Sequence, residues 1–148
     1  RRVLFRSYVE CKEEAEQVLA DFHSRGISEA VVNEHLSGDL VKFYGVQGTD
    51  FFFSFYPTDA CHSKLGLEIA NGETCGYPFD KELLYQYSSK LAEIMNVPIY
   101  GGDCIISSTG EIRIIDFNDW PSFACCREEA GVKIAECIYH KVTAKLKE

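Results

Sequence analysis

Several features that place proteins in particular compartments or classes are missing from this sequence. Its odd set of seven cysteines contains no CxxC pair, so neither a disulfide framework nor a zinc ribbon is indicated. No signal-peptide pattern opens the chain. Its longest aromatic-rich run, Phe51 to Tyr56, is far shorter than the roughly 20 residues that a membrane helix needs. These absences predict a cytoplasmic protein with reduced cysteines and no membrane partner.

Basic residues are also scarce. Fifteen Lys and Arg stand against 23 Asp and Glu, which gives a net charge of -8 at pH 7. Nucleic-acid affinity comes largely from cations that neutralise phosphates, so this excess of acids argues against a nucleic-acid partner. A local basic site for a small phosphate remains compatible with the composition.

Length and composition favour one globular domain. The chain has 148 residues, of which 46% are hydrophobic and 26% charged, which is typical of a folded domain with its own core. It begins at Arg1, and its one methionine is Met95. We therefore expect a single folded unit, residues 1–148, which is either a segment of a longer protein or a reduced relative of one.

Hydrophobic periodicity predicts an α+β domain in which helices flank an antiparallel sheet. The predicted helices cover residues 7–25, about 80–96 and about 127–145. The predicted strands cover residues 29–36, 40–46 and 51–56, followed by a hairpin within residues 100–123. Between them, residues 57–79 have no clean period and predict an irregular loop, which at that length is usually functional or mobile.

The last two predicted helices each have one expected inward face. In the first of them that face holds Leu84, Tyr87, Leu91 and Ile94. In the second it holds Ala130, Ile134, Cys137 and Ile138.

The hairpin "YGGDCIISSTGEIRIIDFNDWPSF", residues 100–123, carries acids at the ends of apolar strands. Buried charges are costly unless they are paired, neutralised or bound to a metal. If residues 107–110 form the turn, Ile106 faces Glu111 and Asp103 lies opposite Ile114. Alternation then puts Asp103, Asp116 and Asn118 on one face.

Two carboxylates and an amide are hard oxygen ligands of the type that Mg²⁺ takes. A three-residue loop would instead put Asp103 on the other face. A reading of Asp116, Asn118 and Asp119 as simple turn residues fits the spacing equally well. The spacing alone does not decide between a metal site and a turn.

At these residues the sequence resembles the ATP-grasp superfamily, in which an acid on one strand and an acid-x-Asn pair on the next hold Mg²⁺ against ATP. Asp103 and the triplet Asp116-Phe117-Asn118 match that pattern, which is similar to that of D-alanine ligase-like members. The Asp-x-Asn form with Pro121 also resembles the inositol phosphate kinase branch.

A second segment, "AVVNEHLSGDLVKFYGV", residues 30–46, resembles the strand, hinge and strand of the same superfamily. By that resemblance Glu34 and Leu36 offer backbone groups to adenine, Asp39 binds the ribose and Lys42 points toward the phosphates. The loop that follows is similar to the segment approaching the triphosphate and acceptor. There the resemblance implies Lys64 as a cation for the γ-phosphate and Asn71 as a further contact.

The resemblance implies a partial ATP-grasp domain whose N-terminal part, with its nucleotide-binding lysines, is missing. ATP and Mg²⁺ are the implied cofactors, and a nucleotide and a small-molecule acceptor the implied partners. The first functional hypothesis is a carboxylate-amine ligase that acts through an acyl phosphate, and the second is a small-molecule kinase of the same fold. The third is a non-catalytic half-domain that binds a nucleotide or a partner chain, with homo-oligomer formation left open.

Overall fold

The computed structural model describes residues 7–57 and 74–146. The chain divides into two compact units, Arg1–His35 and Leu36–Glu148. Most of the predicted loop over residues 57–79 lies outside the described residues, and so do Lys64 and Asn71.

The first unit contains helix α1, Lys12–Ser24. Glu13 and Glu14 lie in its first turn, where negative charge is favourable, and Gly26 follows its end with a φ of +78°. The strand predicted over residues 29–36 does not form. That stretch is irregular and almost entirely exposed. Within the described part of the chain no strand pairs with it, and an extended segment without a ladder leaves its backbone groups to water.

The second unit contains a four-stranded antiparallel sheet in the order β2-β1-β3-β4. In chain order its elements are β1 (Asp39–Val46), β2 (Phe52–Phe55), α2 (Lys81–Met95), β3 (Ile99–Ile106), β4 (Ile112–Asp119) and α3 (Arg127–Lys145). The predicted α+β class is therefore confirmed. None of the helices in the described ranges is both long and apolar enough to cross a membrane.

Helix α2 begins and ends as its sequence predicts. The carboxylate of Asp80 accepts hydrogen bonds from the backbone N–H groups of Glu82 and Leu83, at 2.9 and 3.1 Å, and Asn96 ends the helix in the left-handed conformation with a φ of 54°. Both are standard solutions for the unpaired groups at helix ends.

The inward face of α2 differs from the predicted one. Leu84 is buried together with the small residues Ser88 and Ala92, whereas Tyr87 and Ile94 are exposed. The sheet surface beneath the helix carries large aromatic rings, so small residues at the contact allow the helix to approach it closely.

The core lies on both sides of the sheet. On the α2 side it includes Val41, Phe43 and Tyr100. At one end of the other side, Val46, Phe51 and Ile99 form a second cluster with the inward residues of α3, Ala130 and Cys137. Ile138, which was also predicted to point inward, is exposed.

Candidate functional site

The β3-β4 hairpin has a different register from the predicted one. Ile106 pairs with Ile112 rather than with Glu111. The closing bond runs from the N–H of Ser107 to the carbonyl oxygen of Glu111 at 3.0 Å, which leaves a loop of residues 108–110. Gly110 has a φ of +82°, as expected for the left-handed residue of such a loop.

A β-bulge in β4 offsets the change of register that this shorter loop causes. Cys104 pairs with Ile114, but Asp103 pairs with Asp116, so Ile115 is an extra residue in β4. Without the bulge, Asp103 would lie opposite Ile115 and Asp116 would point to the other face. The bulge thus brings Asp103 and Asp116 directly opposite each other.

The position of Phe117 gives the physical reason for the bulge. Its ring lies on the core side of the sheet, stacked on Tyr100 with a centroid distance of 5.4 Å and within 6.2 Å of Phe43. Ile112 and Ile114 pack against the same core. Only an extra residue lets all three point inward, because strict alternation would put Phe117 outside.

A row of three charged residues crosses the sheet at this point. Lys42 of β1 pairs with Asp103 of β3, which pairs with Asp116 of β4, so all three side chains are on one face. The Nζ atom of Lys42 lies 3.1 Å from Oδ1 of Asp103, and the two side chains are 25% and 29% exposed. The ammonium therefore neutralises one carboxylate of the pair.

Asn118 adds an amide to this row. It pairs with Gly101, two residues from Asp103 on the same strand, and it is exposed together with Asp116. Its Nδ2 donates to Oδ2 of Asp116 at 2.7 Å. Rotation of the amide would present its oxygen instead. We call Lys42, Asp103, Asp116 and Asn118 the polar row.

The donor atoms of the polar row are compatible with Mg²⁺ held together with a phosphate. The described residues contain no group of three His, Cys, Asp or Glu side chains that could hold a metal, so the protein does not supply a complete cage there. Mg²⁺ commonly takes one or two carboxylates and completes its shell with water and substrate phosphates. Cys104, which follows Asp103 in β3, is fully buried in the core. Burial raises the pKa of its thiol to about 12, with a further contribution from the charge of Asp103, so the thiol is neutral.

Asp39 is not part of this row. It is the first residue of β1 and is 4% exposed, on the core side of the sheet and thus on the opposite face from Lys42. Oδ1 accepts the N–H of Cys75 and Oδ2 accepts the N–H of Tyr77, both at 2.8 Å. These two hydrogen bonds hold the backbone of residues 75–77 against the start of β1.

The two residues predicted to contact adenine are in irregular backbone. Glu34 is exposed in the first unit, and Leu36 is half-buried at the start of the second. The roles of these residues and of Asp39 remain predictions, as do those of Lys64 and Asn71 outside the described residues.

Sequence reasoning missed one charged group near the row. Arg113 pairs with Ile105, which is two residues from Asp103 on β3, and so places a second cation on the same face. Trp120 follows β4 as an exposed residue with a φ of 45°. The sequence did contain a signal for this arrangement. Ile114 and Ile115 are adjacent, which breaks the alternation of apolar and polar residues along β4, and they mark the bulge that brings Arg113 and Asp116 onto one face.

A cleft of about 610 Å³ lies elsewhere, between α2 and α3 beside the β1-β2 turn. Gln47, Ser89, Cys137 and His140 are among its lining residues, which include none of the predicted site residues.

Comparison of the chain with known proteins adds no assignment. Family models, curated proteins and solved structures were compared with it, and none of the three gave a match.

Proposed function

We propose that the polar row binds a Mg²⁺-nucleotide and that the protein takes part in ATP-dependent phosphoryl transfer. The observation that carries this proposal is the alignment of Lys42, Asp103 and Asp116 across three adjacent strands. The bulge that produces it is an irregularity of the kind often found beside active sites.

The charges of the row suit such a ligand. Lys42 and the two carboxylates together carry a net charge of −1, and the side chains of Asp116 and Asn118 are exposed. Oxygen ligands on one side and an ammonium on the other match a bound metal and a phosphate, respectively. When bound, the metal supplies Lewis-acid polarisation of the phosphoryl oxygens.

The residues of the chain then have distinct tasks. Asp103 and Asp116 orient the metal-bound triphosphate, Asn118 contributes an amide oxygen, and Lys42 neutralises negative charge on the phosphates. Phosphoryl transfer depends mainly on positioning and charge neutralisation. We propose a carboxylate-amine ligase as the reaction on the basis of the ATP-grasp resemblance. Release of ADP that requires both a carboxylic acid and an amine supports it, whereas release with a single alcohol acceptor identifies a kinase instead.

Asp116→Asn tests the site itself. Isothermal titration of the protein with ATP in excess Mg²⁺ should show at least about tenfold weaker binding in the variant, equivalent to 1.4 kcal/mol. The matched control is Asp119→Asn, which makes the same charge change three residues away on β4, at an exposed residue paired with Tyr100 rather than with the row. Equal affinities of the wild type and Asp116→Asn, or no binding by the wild type, would refute the proposed function.

Lys42→Met should change two affinities in opposite directions. Loss of the ammonium from Asp103 removes a competing cation, so Tb³⁺, a luminescent probe for oxygen-ligand metal sites, should bind more tightly. ATP should bind more weakly, because its phosphates lose a positive charge. Lys90→Met is the control, since Lys90 also forms an ion pair, 2.8 Å from Glu93, but lies on α2. A decrease in both affinities would show that Lys42 only maintains the structure.

A further inference from the structure

The polar row continues onto the edge strand β2 as an aromatic side chain. Lys42 pairs with Phe55 of β2 on one side, just as it pairs with Asp103 of β3 on the other. Paired residues of antiparallel strands point to the same face of a sheet, so Phe55, Lys42, Asp103 and Asp116 form one line across all four strands. The line is apolar at the β2 edge and acidic at the β4 edge, with an ammonium between them.

Two more aromatic rings lie beside Phe55 on this face. Tyr44 pairs with Phe53, and the ring centroid of Phe55 is 5.8 Å from that of Tyr44 and 5.4 Å from that of Phe53. We call these three half-buried residues the aromatic shelf. Tyr44 and Phe53 also pack against the second core cluster. Among the described residues Phe55 packs against neither cluster, which leaves its ring as the surface of the shelf that a ligand can contact.

The two halves of this line suit different parts of one ligand. Lys42, Asp103 and Asp116 suit phosphates and a metal, which make no use of an aromatic ring. A purely apolar partner would instead cover these three charges without any counterpart. A molecule with a flat apolar ring at one end and metal-bound phosphates at the other matches both halves, and nucleoside triphosphates are such molecules.

The spacing of the strands also suits a nucleotide. Neighbouring strands are about 4.8 Å apart, so Phe55 lies about 12 Å along the sheet from the midpoint of Asp103 and Asp116. The ribose and the α-phosphate of a nucleoside triphosphate separate its base from the metal-bound phosphates and can span such a distance. Lys42 lies between the two ends, where its ammonium can contact the phosphates.

We propose that the base of the nucleotide stacks on Phe55 and that its phosphates run along the line toward β4. This inference rests on the proposed function of the polar row, and it adds the orientation of the ligand and a contact that recognises the base. Stacking on an aromatic ring is favourable for any base, because every base has a π-face. The aromatic shelf therefore favours nucleotides over inorganic polyphosphates.

The variant Phe55→Ala tests the stacking contact. Isothermal titration measures its affinity, and that of the wild type, for ATP and for inorganic tripolyphosphate, each in excess Mg²⁺. ATP should bind at least about fivefold more weakly to the variant, because it loses the stacking energy of its base. Tripolyphosphate, which has the phosphates but no base, should bind both proteins equally.

Phe52→Ala is the matched control. Phe52 lies on the same strand but on the core side of the sheet, where its ring centroid is 6.4 Å from that of Phe43, so the folded variant should bind ATP as the wild type does. Phe55→Tyr keeps an aromatic ring and should also retain the wild-type affinity. If circular dichroism showed that Phe55→Ala does not fold, Phe55→Leu would decide instead, because leucine is apolar and similar in size but has no aromatic face.

Two results would overturn the stacking contact while the proposed function stands. One is an ATP affinity that Phe55→Ala leaves unchanged. The other is an equal loss of affinity for ATP and for tripolyphosphate, which would mean that Phe55 only supports Lys42 structurally. In both cases the wild type still binds ATP and Asp116→Asn still weakens that binding. A wild type that binds neither ligand would refute the proposed function and this inference together.

Discussion

Gly102→Ala should lower the free energy of unfolding by about 3 kcal/mol or more. Gly102 is buried in β3 and pairs with Phe117, beside the bulge. A Cβ atom at this position would overlap the backbone oxygen of Asp116 and would lie 2.8 Å from Cζ of Phe43. Neither neighbour can move without a large energetic cost, since one is the backbone of the bulge and the other is a fully buried ring.

Urea denaturation measures this effect, and Gly131→Ala is its control. Gly131 lies within α3, where an added Cβ meets nothing within 4 Å, so the same chemical change should stabilise the protein by roughly 0.5–1 kcal/mol through helix propensity. Gly102→Ala should also weaken Mg²⁺-ATP binding wherever the variant remains folded, because the bulge positions Asp116. If Gly102→Ala left the free energy of unfolding unchanged, β3 and β4 would not be packed this closely at the bulge.

Asp39→Asn should destabilise the protein by about 2–3 kcal/mol. Each carboxylate oxygen of the buried Asp39 accepts a separate backbone N–H, from Cys75 and from Tyr77. An amide can offer only one oxygen, so its NH₂ group would face an N–H donor and leave it unsatisfied. Amide hydrogen exchange should accelerate at Cys75, Tyr77 or both.

Asp80→Asn is the matched control for this change. Asp80 also accepts two backbone N–H groups, but it uses the single atom Oδ1 for both, and it is exposed. Asparagine is as good a helix N-cap as aspartate, so the unfolding free energy should stay within about 0.5 kcal/mol. If Asp39→Asn and Asp80→Asn changed the unfolding free energy equally, the loss of charge would account for both effects, and the second acceptor oxygen of Asp39 would contribute nothing.

Local signals predicted the bounds of α2 and α3 to within one residue, whereas α1 begins at Lys12, five residues after its predicted start. The acid at position 80 and the asparagine at position 96 define α2 because caps act on backbone groups within one turn. The face that α2 buries was less predictable. Tyr87 and Ile94 have the required spacing, but contact with the large rings of the sheet selects Ser88 and Ala92.

The predicted strand over residues 29–36 shows the corresponding limit for sheets. Val31 and Val32 have high strand propensity but are exposed in irregular backbone. Strand propensity expresses how well a residue fits a pleated and half-buried surface. It has no effect where no neighbouring strand provides that surface.

The sequence by itself determined which residues are apolar, where α2 and α3 begin and end, and that Asp103, Asp116 and Asn118 belong to two neighbouring strands of a hairpin. Only the tertiary structure decided how these groups meet. The hydrogen bond between Lys42 and Asp103 joins residues 61 positions apart, and the bulge exists because Phe117 is buried against the rings of β1 and β3. Contacts between distant segments depend on which buried surfaces pack best together, and that competition involves the whole sheet at once.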